Sequence, residues 1–144
     1  TFGALALYEH PQCRKKLRAG DDQYATMFAQ EVRRYYPFAP FVGAFVRRSF
    51  IWKQCYFKKG SRVLFDIYGT NHDSRLWKRP DEFLPERFLH RPNNAYDFVP
   101  QGGGNYNTGY RCAGEQATIE IMKVSLCFLV TYTKYKIQNT LAKP

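Results

Sequence analysis

Pro80, Pro85, Pro92 and Pro100, with Asn71, Asp73, Asn93 and Asn94 among them, interrupt regular structure repeatedly between residues 69 and 100. An irregular passage of that length is unusual in a compact domain and normally marks a functional or tightly packed loop. Its buried main-chain groups need hydrogen-bond partners, and a loop without a ladder must find them elsewhere in the chain. Any fold open to this sequence therefore has to supply side-chain donors to a long, structureless run.

Regular elements are expected on either side of it. Phe2 to His10 reads as a helix stopped near His10-Pro11, because proline restricts the residue before it. Pro11 suits the first turn of a short basic helix through Gln12 to Arg18, which Gly20 ends. Asp21 or Asp22 can cap a third helix from about Gln23 to Tyr36, before Pro37. Along it Tyr24, Met27, Phe28, Val32 and Tyr35 keep the rhythm of one buried face. Residues 43–68 mix aromatic and β-branched positions around a Lys59-Gly60 turn, which predicts short strands in a hairpin, with Ser61 to Tyr68 as one strand. A long helix should run from about Gly114 to Thr131. Its apolar density fits a helix buried within a larger protein better than a one-sided surface helix. The tail from Tyr132 to Pro144 loses that rhythm, and neither an internal repeat nor a flexible linker is evident. The expected class is mainly α with small β hairpins.

The 144 residues fit one domain, and the 44% hydrophobic and 17% aromatic fractions argue against intrinsic disorder. A net charge of +10 invites a nucleic-acid reading, but no recognition motif accompanies it, and no nucleic-acid partner is expected. A basic face suits equally an acidic redox protein or the carboxylates of a cofactor or substrate. The charge is concentrated at Arg47, Arg48, Lys53, Lys58 and Lys59, with no acid between them. Cys13, Cys55, Cys112 and Cys127 form neither a CxxC pair nor a disulfide framework, so a reducing, cytoplasmic setting is expected. No apolar run approaches the roughly 18 residues of a membrane span. The chain opens at Thr1 directly in an apolar periodic segment, which reads as an element cut into.

Three constellations carry chemistry. Glu31 and Arg34 lie three apart, so on a helix they share a face; an ordinary surface ion pair has the same spacing. Arg87, in Pro85-Glu86-Arg87-Phe88, can satisfy several loop carbonyls while joining that pair; the plainer alternative is a solvent-facing charge. The third is the run from Gly102 to Glu115. Its glycines permit positive φ and close approach to a flat, bulky partner. Cys112 falls at or just before the long helix, where unpaired N–H groups and the positive dipole end favour a thiolate. Arg111 adds positive charge and Gly114 removes bulk beside the sulfur. Such a cysteine can be an axial haem ligand, a nucleophile or a small buried hydrophobe. A nucleophile wants a base, and His10, His72 and His90 sit in no catalytic motif. The glycine spacing matches neither phosphate-binding fingerprint.

Taken in order and at these separations, the three segments resemble the C-terminal region of cytochromes P450. Glu31-x-x-Arg34 matches the family's helix motif, Pro85 to Phe88 the loop whose arginine completes a Glu–Arg–Arg triad, and Cys112-Ala113-Gly114 the proximal ligand. Gln30 to Phe38, Tyr68 to Asp73 and Pro100 to Gly104 narrow the likeness to the fatty-acid hydroxylating peroxygenase branch. The usual signature departs here: Gln101 begins the loop, Asn105 to Thr108 lengthen it, and Tyr110 stands where a basic residue, or in this branch a histidine, is expected.

The resemblance implies that residues 1–144 are the haem-ligating part of a single cytochrome P450 domain, truncated at both ends. It implies a b-type haem, iron protoporphyrin IX, with Cys112 on the iron and Arg111, Tyr110, Gly104 and Gly114 nearby. Thiolate donation favours O–O cleavage. Hydrogen peroxide would supply the oxygen and a fatty acid would be hydroxylated near its carboxyl end, with the distal arginine upstream of this sequence. Pro40 to Ala44 would border haem and acyl chain, and Glu31, Arg34 and Arg87 would be structural supports. The runner-up is a monooxygenase served by a redox partner protein; an inactive haem-binding or structural remnant is the third.

Overall fold

The third helix, α3, organises the chain. The computed structural model describes residues 1–91 and 94–135, so Pro92, Asn93 and the tail beyond Tyr135 lie outside the described residues. Asp21 caps α3 (Asp22–Tyr35) by accepting the Tyr24 N–H at 3.0 Å, and Pro37 follows just past its end. Its Tyr24, Met27, Phe28, Ala29 and Val32 are buried, and Tyr35 is half-buried. They pack with Ala6 and Leu7 of α1 (Phe2–Glu9), Leu17 of α2 (Cys13–Arg18), and Leu126 and Val130 of α5 (Glu115–Tyr132). Phe83 of the irregular passage closes the cluster, edge-on to Phe28 at 5.2 Å. Each large apolar side chain so buried contributes about 1.5–3 kcal/mol.

Within this chain α5 buries one side. Ile119, Leu126 and Val130 are buried, whereas Ile121, Val124, Phe128 and Tyr132 are exposed. The reason is that α1, α2 and α3 flank only one side of it among the described residues.

After α3 the strands β1 (Phe41–Phe45) and β4 (Arg62–Asp66) pair antiparallel, with Phe41 opposite Asp66 and Phe45 opposite Arg62. A smaller ladder, β2 (Phe50–Trp52) with β3 (Cys55–Phe57), is inserted between them in sequence. Its turn is not the Lys59-Gly60 pair read from the sequence. Lys53 and Gln54 make it, at φ 45° and 66°, the left-handed backbone at both central residues that a type I′ turn takes. Gly60, at φ 86°, serves a second turn in which Ser61 N–H reaches Lys58 O at 3.0 Å, returning the chain to β4. The strand expected to reach Tyr68 stops at Asp66. That side chain instead caps α4 (Ile67–Asn71), accepting the Gly69 N–H at 2.7 Å.

The proline-rich passage contains one 3-10 turn, Pro85–Phe88, laid against α3. Trp77, Phe88 and Phe98 form its own aromatic cluster, with ring centroids 5.1–5.8 Å apart. This mainly helical architecture with small antiparallel pairs is the class read from the sequence. All four cysteines are unpaired, and no helix among the described residues is long and apolar enough to cross a membrane.

Candidate haem-thiolate site

The helical spacing of Glu31 and Arg34 becomes a fully buried pair. Arg34 donates from Nε to Glu31 Oε2 at 2.9 Å and from Nη2 to Oε1 at 2.8 Å, a bidentate clasp. Its remaining capacity goes to the irregular passage, at the carbonyls of Asn71 (3.0 Å), Pro80 (2.8 Å) and Glu82 (3.1 Å). Arg87 joins from the far side. It donates to Glu31 Oε1 at 3.2 Å and to the carbonyls of Lys78, Arg79 and Glu82 at 2.6, 3.0 and 3.0 Å. Leu84 N–H reaches the same glutamate oxygen at 2.8 Å. Burying charge this completely is tolerable only with such full hydrogen bonding. The passage that lacks a ladder thus gets its donors from two guanidinium groups.

A second route leads toward Cys112. Asn71, buried at the end of α4, accepts the Val99 N–H on Oδ1 at 3.1 Å. Two residues later Gln101 O accepts the Cys112 N–H at 2.9 Å. Between them the loop doubles back through Gly102 and Gly104, at φ 92° and 91°. A Cβ on Gly102 would lie 2.0 Å from Tyr110 O, so no side chain fits where the two arms of the loop cross. Gly104 is buried and ties its N–H to Ala95 O at 2.8 Å.

Cys112 is exposed where the loop enters α5, with Glu115 N–H on its carbonyl at 3.1 Å. Gly114 is the residue before the helix, and a Cβ there would meet nothing within 4 Å except Cys112 Sγ at 3.7 Å. Tyr110 is 96% exposed, so its ring packs on no described part of the chain. The Arg111 guanidinium lies over the Tyr106 ring, 4.6 Å from its centroid, and is clasped to Glu115, with Nη2 on Oε1 at 3.2 Å and Nε on Oε2. Glu115 also accepts Arg33 Nη2, and Tyr106 OH at 2.9 Å. Burial pushes the Glu115 carboxyl up, but the hydrogen bonds from Arg111 and Arg33 outweigh it and hold the group below its usual range. Burial also works against charge on Arg33, opposed by Glu115, and a guanidinium keeps its proton throughout.

Sequence reasoning attached no role to Asn71, Arg33 or Glu115. The Arg111–Glu115 spacing of four was a visible signal for a helical ion pair, whereas Arg33 and Glu115 stand 82 residues apart and carry no local signal. Pro40 to Ala44 lie at the start of β1, exposed except for half-buried Ala39 before them.

An axial thiolate needs a sulfur with a clear approach, small neighbours and a rigid loop. Cys112 is exposed, Gly114 leaves space beside it, and the crossing at Gly102 fixes the loop behind it. These residues fit a haem held through sulfur.

The fold and the order of these motifs are those of one family: the chain belongs to the cytochrome P450 family, whose profile, described as Cytochrome P450, matches residues 4–142. Within the family, the structure of cytochrome P450SP alpha (CYP152B1) with (R)-ibuprofen is 42% identical, with a TM-score of 0.85, covering 96% of this chain and 34% of that one. Ligand-free cytochrome P450 OleT is also 42% identical, at a TM-score of 0.80, covering 90% of this chain and 30% of that one. Among curated proteins, cytochrome P450 4A10 of Rattus norvegicus is 34% identical over 140 residues, 85% of this chain and 27% of that protein. Cytochrome P450 3A11 of Mus musculus is 28% identical over 146 residues, 88% of this chain and 28% of that protein. The chain thus spans about a third or less of the relatives it matches. The likeness to the fatty-acid peroxygenase branch read from the motifs agrees with these neighbours.

Proposed function

We propose that this chain supplies the haem-ligating part of a haem-thiolate oxidoreductase that hydroxylates fatty acids near the carboxyl end with hydrogen peroxide. The observation that carries the reading is Cys112, exposed at the entry to α5 on a glycine-folded loop, with open space at Gly114. A bound haem b supplies the oxygen activation, which thiolate donation promotes.

The chain's own residues then divide the remaining work. Cys112 would hold the iron. Gly104 and Gly114 would leave room for the ring, and Tyr110 and Arg111, beside Cys112 in sequence, would lie near it. Glu31, Arg34 and Arg87 hold the proline-rich passage, and Asn71 carries that order to Val99 beside the loop. No residue here is assigned the distal acid–base role.

Support for the substrate class comes from two solved relatives, cytochrome P450EX alpha (CYP152N1) with myristic acid and an OleT variant with arachidonic acid, each 42% identical. The test uses the complete protein. Peroxide-driven turnover of a long-chain fatty acid without a reductase is expected, and Cys112→Ala should fold yet lose the thiolate-type ferrous carbonyl spectrum. Turnover that requires dioxygen and a redox partner would overturn the peroxide reading. An unchanged spectrum in Cys112→Ala would overturn the ligand.

A further inference from the structure

The Glu31 cluster is not the chain's one buried Arg–Glu–Arg arrangement. Arg33, Glu115 and Arg111 make a second, with side-chain exposures of 5% or less for Arg33 and Glu115 and 10% for Arg111. The two oxygens of Glu115 take four donor contacts: Oε1 receives Arg33 and Arg111, and Oε2 receives Arg111 and Tyr106. Arg111 directly precedes Cys112 and Glu115 follows it by about one helical turn. The cysteine therefore lies inside a closed ring of contacts. That ring is moored to α3 through Arg33, which is itself held by Gln30 and rests 5.4 Å from the Phe98 centroid.

Stability alone does not explain such a cluster. Buried ion pairs repay their desolvation poorly, and apolar side chains of similar volume stabilise a fold as well or better. The first cluster already ties α3 to the proline-rich passage. What the second adds is direction at one backbone segment, 111–115, and an excess of one positive charge there, two arginines against one glutamate.

We infer that Glu115 is the positioning residue of the Cys112 loop: it fixes Arg111 and Tyr106 against α3 and so sets how the sulfur is presented to the iron. This rests on the reading of Cys112 as the haem ligand. The role parallels the outer-sphere partners that orient metal ligands elsewhere, whose loss typically lowers metal affinity or activity about 10- to 100-fold.

Glu115→Gln tests it in the complete holoprotein. Glutamine offers one acceptor oxygen where the cluster needs two, and its amide N–H groups would face the Arg111 donor. The variant should keep its helical circular dichroism but release haem about 10-fold or more faster. Part of its ferrous carbonyl spectrum should move away from the thiolate type. Its ferric–ferrous potential should move upward, because removing a negative charge favours the more negative, reduced state. Tyr106→Phe, which deletes one donor but keeps the Glu115 charge, should change haem release and the carbonyl spectrum less. Should Glu115→Gln fail to fold, Tyr106→Phe and Arg111→Lys carry the test, the lysine keeping the charge while losing the two-point clasp. A lowered melting temperature with unaltered spectrum and potential in the folded variants would show Glu115 to be merely structural and overturn the inference. A wild-type protein without the thiolate-type spectrum would instead sink the Cys112 assignment, and this inference with it.

Discussion

Arg87 Nε stands 3.2 Å from Glu31 Oε1, an oxygen that also accepts Leu84 N–H at 2.8 Å and Arg34 Nη2 at 2.8 Å. One carboxylate oxygen therefore joins a helix, a loop main chain and a second loop side chain. The arginines carry that fixity outward to four different carbonyls besides Asn71, those of Lys78, Arg79, Pro80 and Glu82. In this chain a loop of more than twenty residues is held by a polar core rather than by a ladder.

Truncating Arg34 should be the most damaging change in that core. Arg34→Ala leaves Glu31 buried with its closest counter-charge gone, a loss of about 3–5 kcal/mol. Arg87→Ala should cost less, because its side chain is 11% exposed and water can replace it at the rim. Urea unfolding of the complete protein, with haem content measured alongside, checks the order. Equal losses in the two variants would contradict it.

Gly102 and Gly60 share a left-handed backbone, at φ 92° and 86°, but not the same surroundings. Alanine at Gly60 meets nothing within 4 Å, so only the conformational cost of about 1–2 kcal/mol applies. Alanine at Gly102 would put its Cβ 2.0 Å from the Tyr110 carbonyl oxygen. Gly60→Ala should keep normal haem binding with a modest fall in melting temperature, whereas Gly102→Ala should lose haem. Matched behaviour of the two would argue against the crossing of the loop arms.

Two histidines should contribute to the response to mild acid. Burial lowers the pKa of His10, stacked on Phe83 at 4.4 Å, and of His72, stacked on Tyr68 at 4.0 Å. Each folded-state value lies below the ordinary 6.5, so the unfolded chain binds protons first. Their contribution is complete above pH 6.5 and declines as pH falls below it. Melting temperature should therefore drop on acidification before carboxylates titrate, and His10→Gln with His72→Gln should flatten that slope. A double variant with the wild-type slope would rule the histidines out.

Asp21→Ala removes the acceptor for Tyr24 N–H at the start of α3. A loss of about 0.5–2 kcal/mol is expected, and Asp21→Asn should recover most of it. Denaturant midpoints of the pair give the answer; an Asn variant as weak as the Ala variant would mean the cap hydrogen bond is not the source.

Much of this was legible from local chemistry. The Asp21 cap, the apolar face of α3 and the stop near His10-Pro11 all depend on neighbours within a helical turn. The hairpin turn was not, because Lys53 and Gln54 adopt the left-handed region without glycine, while Gly60 advertised a turn of another kind. The triad's order was readable as motif spacing, and so was Arg87's reach to several loop carbonyls; which carbonyls, those of Lys78, Arg79 and Glu82, was not. Glu115 escaped because its decisive partner, Arg33, meets it only after α3 and α5 have packed.

Two guanidinium groups approach Trp77, with Arg91 Cζ 3.6 Å and Arg34 Cζ 5.3 Å from its ring centroid, and its indole N–H is on Thr70 O at 3.2 Å. It is 1% exposed, while Trp52, the other tryptophan of the chain, is 60% exposed on the β2–β3 hairpin. The molecule thus carries its own pair of optical reporters. Loosening of the proline-rich passage should redden Trp77 emission and open it to iodide quenching while Trp52 stays constant, so that this one loop can be watched coming undone by light alone.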